Sequence, residues 1–161
     1  MAAPAILAGL VALGLTVSAQ AAVSPETVNG FPEIAGAGTI RLGVETIRLH
    51  GVATAAVGSA VEIEARGWLH RRINARRVYC HFDPTAELVN GARNGMCEIE
   101  GLDVSALMVE AGMAVDCPAT SKGRYKIQQQ RAEAAGFNMN ERIPLPASCG
   151  NGSKKPAKKK A

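Results

Sequence analysis

The chain has 161 residues, 47% of them hydrophobic and 20% charged, enough for one small domain with a single core and too little for two. Its formal net charge of +4 comes from 18 Lys and Arg against 14 Asp and Glu, but five lysines (Lys154, Lys155, Lys158, Lys159 and Lys160) crowd into residues 151–161, and without them the acids exceed the bases by one. Aromatic residues make up only 4%, which argues against the broad base-stacking platform that single-strand binders use.

In chain order, the first 21 residues carry no charge and hold an apolar stretch from Ile6 to Val17. Ala19, Gln20 and Ala21 put small residues where a signal peptidase reads, so residues 1–21 are read as a secretory signal peptide and the protein as periplasmic or secreted. The apolar stretch is short for a bilayer crossing, and no stable membrane span is expected in the mature chain. Residues 22–30 read as a linker and 31–149 as the folded domain. Thr39 to Leu42 and Glu45 to His50 alternate apolar residues with Arg and Thr on either side of Gly43 and Val44, the pattern of a β-hairpin. Ala60 to Asn74 places Val61, Ala65, Trp68, Leu69 and Ile73 on one helical stripe, with Trp68 as a core anchor. Its opposite face carries Glu62, Glu64, Arg66, Arg71 and Arg72, and with Arg76 and Arg77 reads as a solvated basic face whose cations suit the helix C-terminus.

Arg77 to Phe82 and Gly95 to Ile99 read as two strands, each with a cysteine. Cysteines in an exported chain meet an oxidising environment, where the four present allow three pairings. The turn-rich connection through Asp83, Pro84, Asn90 and Gly91 lets the two strands face each other, which favours Cys80 with Cys97 and leaves Cys117 with Cys149. No Cys and His spacing suggests zinc. Asp103 reads as the N-cap of a second helix bearing Val104, Leu107, Met108 and Ala111 and ended by Gly112. A third helix is expected from about Arg124 to Ala135, then extended chain from Ile143 to Ser148, and residues 150–161 as a disordered Lys-rich tail.

The segment Gly36 to Ala56, GAGTIRLGVETIRLHGVATAA, resembles the opening of the staphylococcal nuclease-like (thermonuclease) family, where a D-G-D-T turn precedes one strand and R-L-x-G-I-D-A-P-E ends another. The likeness spans about Phe31 to Pro146, with Ile99 to Val115 as its next best stretch. It implies an α+β fold, an OB-fold-like five-stranded β-barrel with about three α-helices. Exported members of that family often carry a cysteine pair on the two strands that hold Cys80 and Cys97 here.

The family cleaves DNA or RNA with Ca²⁺, a hard cation that takes several oxygen ligands, and uses a carboxylate to activate water. The resemblance carries the two metal-binding Asp positions onto Gly38 and Ala53 and the water-activating Glu position onto Ala56, so no metal or other cofactor is expected. The phosphate-contacting Arg falls on Arg48, whose planar guanidinium suits bidentate contact with a phosphodiester. The second catalytic Arg falls, by spacing from Cys97, on Ala92, with Arg93 as a substitute if the turn shifts by one residue. Two acids are candidate replacements. Glu45 shares a strand face with Ile47 and Leu49 and so points away from Arg48, and Glu33 is expected to be solvated. The expectation is a catalytically degenerate exported nuclease-like domain, a binding or structural module in weak contact with nucleic acid or an anionic envelope polymer through Arg48 and the Lys-rich tail. An active Ca²⁺-dependent phosphodiesterase is the alternative.

Overall fold

The structure is a computed structural model that describes residues 26–150; the signal-peptide reading of 1–21 and the lysines of 151–161 lie outside the described residues. In chain order the elements are β1 (Glu26–Gly30), β2 (Glu33–Gly36), β3 (Thr39–Leu42), β4 (Glu45–Leu49), β5 (Val52–Ala53), α1 (Ala60–Ile73), β6 (Val78–Phe82), β7 (Arg93–Ile99), β8 (Leu102–Asp103), α2 (Val104–Glu110), β9 (Val115–Asp116), α3 (Pro118–Ser121), α4 (Lys126–Ala134), α5 (Met139–Arg142) and a 3₁₀ turn (Ala147–Cys149). The class is α+β. Six strands follow one another in the order β1-β6-β7-β4-β3-β2, with β8 added beside β7, and β5 and β9 form a separate two-stranded ribbon. The pairing of β4 with β7 is parallel and every other pairing is antiparallel. Although three strands separate β1 from β3 in that order, the two touch, so the sheet is curled into a partial barrel.

The hairpin forms where the alternation places it. Ile40, Leu42, Ile47 and Leu49 turn inward, where Leu69 and Ile73 of α1 and Val104 and Met108 of α2 complete the main core. Each such side chain contributes roughly 1.5–3 kcal/mol on full burial. A smaller cluster gathers Val115, Ala132, Met139 and Ile143. Trp68 packs partly buried against the main core, as an anchor would.

Three expectations change. Glu26–Gly30, read as part of a linker, is a strand paired with β6, Val28 opposite Cys80; Val28 is its one apolar side chain against the core, too little alternation to register as a strand. The count of five strands and about three helices falls short of the seven-stranded sheet, the ribbon and the five helices among the described residues; those not read are two to four residues long or, in β1, too poor in apolar residues to show an alternation. Glu62, assigned to the solvated face of α1, is 4% exposed.

Cys80 and Cys97 are register partners on β6 and β7 and are disulfide-bonded, and Cys117 is bonded to Cys149. With sequence separations of 17 and 32, chain entropy assigns the bridges about 3 and about 4 kcal/mol. Two disulfides fit an oxidising compartment, and no helix among the described residues is long and apolar enough to cross a membrane.

Two glycines are required by what lies against them. Gly51 has φ +76°, and a Cβ there would come within 2.9 Å of the Tyr125 ring and 3.0 Å of Ser121. Gly112 has φ +70° and would clash at 2.8 Å with Phe137. In both cases a segment later in the chain closes over an earlier turn, and both backbone angles are strained for residues with a side chain.

Candidate anion pocket around Arg48

Strand alternation sends Ile47 and Leu49 into the core and Thr46 and Arg48 to the opposite face. In register, Arg48 stands between Thr39 of β3 and Asn94 of β7. It lines a pocket of about 310 Å³ together with Gly38, Thr39, Thr54, Glu62 and Ala92. Among the described residues Arg48 is the one cation in that lining and Glu62 the one carboxylate. Arg48 itself makes no ion pair or side-chain hydrogen bond with the described residues, unlike Arg93, Arg76 or Arg142, each of which is paired. A guanidinium so placed keeps its donors available for an anion.

The positions marked by the resemblance do converge here in part. Gly38 and Ala92 line the pocket with Arg48, and Ala53 lines an adjoining cleft of about 160 Å³ that Arg48 also borders. Ala56 is exposed and lines neither. Gly38 is also close-fitting, since a Cβ there would lie 3.0 Å from the Thr54 methyl group.

Arg93 is engaged elsewhere. Its Nε donates to Glu45 at 3.3 Å and its guanidinium to the Pro84 carbonyl at 2.9 Å, while the same group lies 5.5 Å from the centre of the Phe82 ring. One ion pair thereby occupies both Arg93 and Glu45, two candidates for rebuilding the chemistry. Glu33 is exposed and paired with Arg41 at 3.2 Å. The basic face of α1 is likewise dispersed: Arg66 pairs with Glu62 at 3.8 Å and Arg76 with Glu100 at 3.3 Å, while Arg77 donates to Asn29 at 2.7 Å.

Glu62 is the pocket residue that periodicity missed. Ser59 caps α1, its hydroxyl accepting from the Glu62 backbone N–H at 3.1 Å, and the Glu62 carboxylate reaches back to the Gly58 N–H at 3.4 Å. That is the Ser-x-x-Glu capping pattern displaced by one residue, and Ser59-Ala60-Val61-Glu62 was legible as such. The cap turns the carboxylate toward the loop before α1 and so into the pocket.

Ca²⁺ takes about six to eight oxygen ligands. Among the described residues no three His, Cys, Asp or Glu side chains converge, and the pocket offers Glu62 alone. The donor set does not fit the cation that the resemblance implies. What the pocket can do is hold a small anionic group by the Arg48 guanidinium, with the hydroxyls of Thr39, Thr46 and Thr54 and the amide of Asn90 around it. No protein-family profile matches the chain, and no curated protein matches it.

Proposed function

We propose that the chain is a nuclease-like module on an OB-type partial barrel that has given up hydrolysis and contacts phosphate-bearing polyanions weakly. The observation that carries this is the environment of Arg48, a cation without an ion-pair or side-chain hydrogen-bond partner among the described residues, in a pocket where small side chains stand at Gly38 and Ala92. The curled sheet, the parallel closure of β4 on β7 and the helix after the fifth strand are compatible with an OB-like frame. The lysines of 151–161 add sequence-independent attraction to phosphates. Two disulfides favour work outside the cytoplasm.

The test is fluorescence anisotropy of a labelled single-stranded oligonucleotide with the full oxidised chain over a salt series, alongside a cleavage assay with and without Ca²⁺. Binding should weaken as salt rises, with a slope near −0.7 per phosphate contacted. Arg48→Ala should lower affinity by roughly three- to tenfold, and removal of 151–161 should flatten the slope. Cleavage is expected in neither condition. A flat salt response would sink the polyanion contact, and Ca²⁺-dependent turnover abolished by Arg48→Ala would establish the phosphodiesterase instead.

A further inference from the structure

After α5 the chain lies on the surface until the second bridge catches it. Pro144 to Ser148 are exposed and Cys149 is buried. The backbone bonds of this stretch are local: the Cys149 N–H donates to the Pro146 carbonyl at 2.9 Å and the Gly150 N–H to the Ala147 carbonyl at 3.3 Å. Among the described residues no backbone hydrogen bond joins it to another element. What fixes it is the bond from Cys149 to Cys117. Cys117 is a firm post, because its N–H donates to the Gly51 carbonyl at 2.9 Å and it follows β9, which is paired to β5.

This post stands beside the anion pocket. Cys117, Ser148 and Cys149 line the same cleft of about 160 Å³ that Arg48 borders, and Arg48 lines the pocket next to it as well. Past Gly150 the sequence puts five lysines and no acid into residues 151–161. Lys154 and Lys155 follow Cys149 by five and six residues, a reach of at most about 18 and 22 Å. The bridge therefore sets the root of the basic segment at the edge of the Arg48 site.

We propose that the Cys117–Cys149 bridge moors the lysine-rich end beside Arg48, so that the guanidinium and the lysines grip one phosphate-bearing strand as a two-part site; this rests on the reading of Arg48 as a phosphate contact. Two contacts on one chain act at an effective concentration that falls roughly as the −3/2 power of the linker between them. With the bridge closed, the linker to Lys154 starts at Cys149 and is five residues long. With it open, the nearest buried anchor upstream is Ile143, 1% exposed, and the linker grows to eleven residues. That lengthening corresponds to a loss of about threefold in affinity.

Fluorescence anisotropy at low salt, with a labelled single-stranded oligonucleotide of about six nucleotides, tests it on four chains: the parent, Cys117→Ser with Cys149→Ser, a chain ending at Gly150, and one with both changes. Opening the bridge should weaken binding about threefold in the full-length chain and leave the chain ending at Gly150 unchanged. An insertion of about six Gly and Ser residues after Gly150 keeps the bridge, lengthens the linker equally and should cost the same factor. It decides the matter even where the bridge-free chain fails to fold, which a melting curve reveals. Equal affinity of the parent and the insertion variant, or an equal loss with and without residues 151–161, overturns the mooring and leaves the Arg48 contact standing. Absence of oligonucleotide binding by the parent overturns both.

Discussion

Tyr125 is 1% exposed, and its hydroxyl donates to Asp103 Oδ2 at 2.9 Å. Burial, and then the negative charge of Asp103, push its pKa up to about 12. The fold therefore favours the neutral phenol. In the unfolded chain a tyrosine titrates near 10, so the stability this group contributes is whole below about pH 10 and is lost as the pH rises from there through about 12. Tyr125→Phe should abolish the phenolate absorbance step near pH 12 and cost about 1–2 kcal/mol at neutral pH, because Asp103 loses a donor. An unchanged melting temperature at neutral pH would contradict this. The same residue shows the limit of local reading. Asp103 as a helix cap was visible from the apolar run that follows it, and it does accept from the N–H groups of Ser105 and Ala106; its second task depends on a partner 22 residues away, which no local pattern announces.

The hairpin of β3 and β4 was legible because alternation and burial agree there, and α1 because its stripe is long. Strand β1 was not, having a single inward apolar residue, nor were the short elements around residues 115–121. Within α1, Glu62 departed from the stripe because capping outweighed periodicity in the first turn. Ser59→Ala should cost about 1 kcal/mol. Glu62→Gln should cost a similar amount, and should also tighten oligonucleotide binding by removing the one negative charge described beside Arg48. Denaturant melts and the anisotropy assay check the two halves separately; weaker oligonucleotide binding by Glu62→Gln would show that the carboxylate positions Arg48 and does not oppose the ligand.

At the scale of the whole molecule, the legible part was the antiparallel frame and its bridges: the turn-rich connection lets β6 and β7 face each other, which favours Cys80 against Cys97, the pair that is bonded. The parallel contact of β4 with β7 was hidden, since it joins Leu49 to Gly95 across β5, α1 and β6, and parallel pairing leaves no turn to read. The pocket followed from that closure, because Ala92 and Arg48 meet only when β7 lies beside β4. A cleft of about 940 Å³ beside α4 was hidden for a similar reason, being assembled from the two-residue β9, the short α3, α4 and the chain after α5.

The bridge from Cys117 to Cys149 also decides how the molecule answers tension. A pull on the chain beyond Gly150 passes from Cys149 through sulfur to Cys117 and enters β9 directly, so α3, α4 and α5 lie off the load path. The loop they occupy, with its sequence separation of 32, yields no contour length while the bridge holds. Once reduced, it would release about 110 Å at roughly 3.4 Å per residue. Force spectroscopy should show that increment only in the presence of a reductant.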